Sequence, residues 1–136
     1  MSDKTVKITI EVPLLKVADA LCSAFESSMG AGYWCEIVKC HAPATLTNTL
    51  DGLTEQPDPK VYPHIDYLLN PGGYLTIKDN EDGERHKLTH EGVLAGLVAM
   101  AEKCPYQFGQ LIGEGGDAIT GDVLVQCAVF GDVVYE

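Results

Sequence analysis

Basic residues are scarce in this chain: nine Lys and Arg stand against 20 Asp and Glu in 136 residues, a net charge of −11. Neutralising phosphates takes a basic footprint, so the composition argues against direct nucleic-acid binding. Long apolar runs are missing as well. Nothing approaches the roughly 18 residues that a membrane span needs, and no signal-peptide pattern opens the chain. The expected location is the cytoplasm, with no membrane partner. The five cysteines, Cys22, Cys35, Cys40, Cys104 and Cys127, are an odd number without framework spacing. That fits reduced thiols, several of them at core positions.

Catalytic and metal signatures are absent too. There is no Gly-x-Ser-x-Gly, and no Cys stands in a signature context beside a His. Cys35-x4-Cys40-His41 is the nearest approach to a metal cluster, but positions 35 and 40 of a strand point to opposite faces. His86 and His90 are four apart with a strand-to-helix junction between them, so they share no helical face. Asp79-Asn80-Glu81-Asp82-Gly83 has the composition of a calcium loop without its order: Gly is fifth rather than sixth, and Thr89–His90 falls where Glu should be. Gly113-Glu114-Gly115-Gly116 lacks the Lys and Ser/Thr of a P-loop, and Asp117 would repel phosphate. These exclusions lead to a non-enzymatic protein with no cofactor and no metal.

What the chain does write clearly is the stretch 71–100. Tyr74–Lys78 and Glu84–Leu88 alternate around an acidic loop ending in Asp82-Gly83, which predicts a β-hairpin. Thr89 caps a following helix, with Glu91 at the positive end of its dipole and Val93, Leu94, Leu97, Val98 and Ala101 as its apolar face. Upstream, Thr5–Val12 alternates as a half-buried strand, and Pro13 opens an amphipathic helix to about Ser28. Tyr33–Cys40 reads as a strand whose buried face the pattern leaves open. The proline-rich segment 41–63 is a surface excursion, and His64–Leu69 is either a helical turn or a short strand. Downstream, 106–112 adds a short helix, and Asp117 and Gly131 bracket a last one with Ile119, Val123, Leu124, Cys127 and Phe130 on one face. The apolar tail 132–136 docks on the core or joins a sheet edge. The expectation is one α+β domain over 1–136: an antiparallel sheet with a central hairpin against about three helices.

Two features remain as candidate sites. Asp79, Glu81, Asp82 and Glu84 crowd the hairpin, and Asp117 and Asp122 lie near the last helix. If these groups share a face, they present a row of anions to a basic partner; the alternative is an ordinary solvated surface. Tyr33 and Trp34 follow a glycine pair and form either an aromatic pocket wall or core packing. With Arg85, Lys87 and Lys103 supplying cations, they make a possible small-nucleotide pocket.

Val6–Ile10, Gly32–Cys35, Gly72–Asp79, Leu94–Leu97 and Asp117–Tyr135 together resemble a family of small proteins from phages, prophages and conjugative elements. The chain departs from that family at Glu136, where Gly is usual. The resemblance implies a mobile-element setting, in which small acidic accessory proteins often antagonise host defence by binding. It raises three expectations: an anti-CRISPR-like inhibitor that binds a host defence protein with a basic surface, a sponge for a small cyclic-nucleotide immune signal, or a structural or regulatory phage protein. Self-association stays open.

Overall fold

The hairpin is the middle and one edge of the sheet. Strand β2 (Tyr74–Asp79) pairs antiparallel with β3 (Arg85–Thr89), and β1 (Cys35–His41) pairs antiparallel with β2 on its other side. The computed structural model describes residues 5–6, 9–26, 31–53, 63–113 and 115–135. Six α-helical segments surround the sheet among these residues: α1 (Leu14–Glu26), α2 (Leu50–Leu53), α3 (Pro63–Leu68), α4 (His90–Lys103), α5 (Pro105–Ile112) and α6 (Ala118–Phe130). Three of them, α1, α4 and α6, run 13 or 14 residues and carry the core. The chain is an α+β domain with an antiparallel meander, as its patterning predicts.

The caps follow the sequence. Thr89 accepts the Gly92 N–H at 2.8 Å to start α4, and Asp117 accepts the N–H groups of Ile119 and Thr120 to start α6. Gly131 ends α6 in the left-handed region at φ 77°, where its missing Cβ removes the steric cost. Helix α6 is nonetheless no one-faced helix: Thr120 through Cys127 are all buried, whereas Ile119 is exposed. It runs through the core between α1 and α4. Its approach to both is close. A Cβ on Gly121 would fall 2.3 Å from the Ala20 carbonyl oxygen, and one on Gly96 would fall 2.7 Å from the Ala128 nitrogen.

Two expectations are corrected. The described residues of 5–12 form no strand, and Val6 is 87% exposed. Ile10 and Val12 instead line a groove of about 480 Å³ with Leu94, Leu97, Val98, Ala101 and Phe108, so their apolar character is met by helices rather than by a sheet edge. The face of α4 is also narrower than its spacing suggests. Val93, Leu97 and Met100 are buried, but Leu94 and Val98 are 47% and 59% exposed, because the core side of α4 is the side that meets α6. Within the 41–63 excursion Leu50–Leu53 is helical, and residues 54–62 lie outside the described set. Asn70 ties it down with a fully used side chain. Its Oδ1 accepts from the backbone N–H groups of Thr47 and Asn48, and its Nδ2 donates to the carbonyls of Asn48 and Asp66.

Candidate functional site

The acidic hairpin is built on a buried brace. Asp79 ends β2 with 0% exposure, where its Oδ1 accepts the Glu81 N–H at 2.8 Å and its Oδ2 accepts the Tyr135 hydroxyl. The Tyr135 backbone is held in turn by Gln126 of α6. Gln126 Oε1 accepts the N–H groups of Val134 and Tyr135, and its Nε2 donates to the Tyr135 carbonyl at 2.9 Å and to Asp122 Oδ2 at 3.1 Å. Asp122 Oδ1 closes the chain by accepting the indole Nε1–H of Trp34 at 2.7 Å. The Asn80 N–H then donates to the Trp34 carbonyl. Buried polar groups need such partners, and this network supplies one for every member.

The geometry leaves a mark on the titrating groups. Its bond to Asp79, with Asp82 and Glu81 adding negative charge, pushes the Tyr135 phenol up to about 12. Partial desolvation of its hydroxyl, with the neighbouring Asp122 carboxylate, does the same for Tyr33. Burial, with the charges of Asp122 and Asp79, raises the Cys35 thiol to about 12 and keeps it protonated.

The predicted anionic row is therefore corrected. Asp79 and Asp122 (6% exposed) lie inside the fold, since each carboxylate is consumed by buried donors. Asp117 is exposed but spent on the α6 cap, at the end of a 13-residue helix opposite the tail that meets the hairpin, roughly 20 Å away along its axis. What stays together is the tip: Glu81, Asp82 and Glu84, all exposed. Asp82 Oδ1 also accepts the Glu84 N–H, and the Asp79 and Gly83 backbones close the turn, so the tip has a defined shape.

The predicted nucleotide pocket is not assembled. Trp34 is wholly buried, packed against Phe130 and Tyr135 with ring centroids 5.4 and 5.3 Å away. Its core role follows from the indole N–H finding Asp122. Tyr33 is exposed, but its hydroxyl is turned to the Tyr135 carbonyl. Lys103 caps the other end of α6, donating to the Gly131 carbonyl at 2.8 Å and lying 3.9 Å from Asp132. Only Arg85 and Lys87 remain side by side, on one face of β3.

That face is what reading along the sequence misses. Paired residues of a sheet point the same way, so the register groups Glu36, Lys78 and Arg85 in one row, Lys39, Thr76 and Lys87 in the next, and His41, Tyr74 and Thr89 in a third. Leu75, Ile77 and Leu88 occupy the opposite, buried face. A β-bulge at Val38 puts Lys39 in this face, a register shift that alternation alone does not reveal. The His41 and Tyr74 rings stack at 4.4 Å, and Lys87 Nζ lies 4.9 Å from the Tyr74 ring centroid.

No protein-family model, no curated protein and no solved structure matches this chain.

Proposed function

We propose that this is a non-enzymatic binding protein that sets the acidic hairpin tip against a basic surface of a protein partner. In the mobile-element setting that its sequence resembles, that partner is a bacterial defence protein, met in the host cytosol and inhibited by losing its nucleic-acid-binding surface. The observation that supports this reading is the tip itself. Glu81, Asp82 and Glu84 are exposed, form no ion pair among the described residues, and stand on a buried network that fixes their backbone. A loop ordered before binding loses little conformational freedom on docking, and clustered charge of one sign speeds encounter with the opposite sign.

The test is affinity capture from lysate of a susceptible bacterium, followed by titration of the purified partner. Charge reversal of Glu81, Asp82 and Glu84 to Lys is expected to weaken binding by at least tenfold while the melting temperature stays within a few degrees. Undiminished affinity in the reversed protein would refute the role of the tip.

A further inference from the structure

Four of the nine Lys and Arg residues, Lys39, Lys78, Arg85 and Lys87, stand on one face of the three-stranded sheet. Glu36 is the single acid in those rows, in a chain with 20 acids. None of the four cations forms an ion pair among the described residues. Four like charges gathered around a single acid repel one another, and with carboxylates in more than twofold excess such a cluster is not what a random surface offers. Beside them lies the stacked His41–Tyr74 pair, a flat π surface at one end of the same face. The array spans two strand spacings and four residues of strand, about 10 by 14 Å.

We propose that this outer sheet face binds single-stranded nucleic acid, with phosphates meeting Lys39, Lys78, Arg85 and Lys87 and a base meeting the His41–Tyr74 rings. Cations that track a backbone, combined with aromatic rings for bases, are what unpaired strands require. A flat open sheet suits splayed bases better than a closed duplex, whose bases are stacked away. The net charge of −11 argues against nucleic acid only when the molecule is treated as a point. With charges screened over about 8 Å at physiological salt, the distant carboxylates weigh little on this face. The tip acids stand just beyond Arg85 and lower the affinity without removing it. This inference does not rest on the protein-partner reading of the tip.

The experiment is fluorescence anisotropy of the full chain with a labelled oligothymidylate of about 12 nucleotides, a length within the usual site range. Four phosphate contacts on a single strand give a salt slope of about −2.8, so affinity should fall about 50-fold between 50 and 200 mM salt. The double variant Lys78→Gln/Arg85→Gln removes two contacts and should lose affinity, with the salt effect reduced to about sevenfold. Tyr74→Leu, with charge unchanged, should weaken oligothymidylate by about tenfold and leave inorganic polyphosphate binding as it was. Melting curves establish that each variant is folded, and neutralising Glu81, Asp82 and Glu84 should not weaken the oligonucleotide. Three results would overturn the proposal: no binding at low salt, a salt slope untouched by the double variant, or competition by polyglutamate as strong as by unlabelled oligonucleotide. The last would assign the face to an acidic protein instead.

Discussion

Asp122→Asn is the sharpest probe of the buried brace, because it keeps the shape of the side chain and changes only its hydrogen-bonding sense. In the native protein both carboxylate oxygens accept, one from Trp34 Nε1 at 2.7 Å and one from Gln126 Nε2 at 3.1 Å. An amide at this position has one acceptor and one donor. Whichever way it turns, its NH2 faces another N–H. Gln126 cannot turn to relieve the clash, since its Oε1 already accepts from Val134 and Tyr135. One buried donor is therefore left without a partner, at a cost of about 1–3 kcal/mol, and the charge assistance of the remaining bond is lost. Asp122→Ala, which strands both donors, should cost about 3–5 kcal/mol. At roughly 4 °C per kcal/mol for a chain of this size, the Asn variant should melt about 4–12 °C below the wild type. Guanidinium titration followed by the fluorescence of Trp34, the single tryptophan, reads the same quantity. A Trp34→Phe background supplies the coupling, because Phe brings no N–H to be stranded. Stability of Asp122→Asn within 0.5 kcal/mol of the wild type would show that the carboxylate is not the acceptor described.

Further outcomes follow from packing and titration. Gly73→Ala should be severely destabilising in thermal melts, because a Cβ there would lie 1.8 Å from the Tyr67 carbonyl oxygen. Leu97→Ala should cost about 2–5 kcal/mol, whereas Leu94→Ala, half out of the core, should cost under about 1 kcal/mol; equal effects would mean that α4 is rotated. Tyr33 and Tyr135 hold their protons to about 12 when folded, above the ordinary value of 10. Their contribution to stability is then complete below pH 10 and is lost as the pH climbs from 10 to 12, with a shallower decline expected for Tyr135→Phe. Cys35 and Cys127, both raised to about 12 and buried, should resist a thiol reagent at pH 8 that labels exposed Cys40.

What the sequence made legible was whatever is decided locally. Asp-Gly at a turn, Thr89 and Asp117 before helices and Gly131 after one are each a backbone requirement met by a single side chain, and each is found in place. Choices that depend on the rest of the fold were not legible. Asp79 and Asp122 look like surface acids until Tyr135, Gln126 and Trp34 arrive from 4 to 88 positions away in the chain to supply donors. The alternation of residues 5–12 fits a strand, yet the described part of it meets a groove on α4. The basic face is dispersed over 49 positions, from Lys39 to Lys87, and its members meet only through the register of three strands and one bulge.

The position of α6 at the centre has a consequence for synthesis. The helix that fills the core, and the tail that secures the hairpin, are the last parts of the described chain to be made. Until residues 118–135 have left the ribosome, α1 has no partner for its Ala20–Ala24 surface and α4 none for Gly96. At about 5–20 residues per second, roughly 6–24 s separate the making of α1 from that of Tyr135. Over that interval the nascent chain exposes its core faces to chaperones and proteases. A polypeptide cut short before Val125 lacks Val125, Gln126 and Cys127, and with them half of the helix that α1 and α4 pack against.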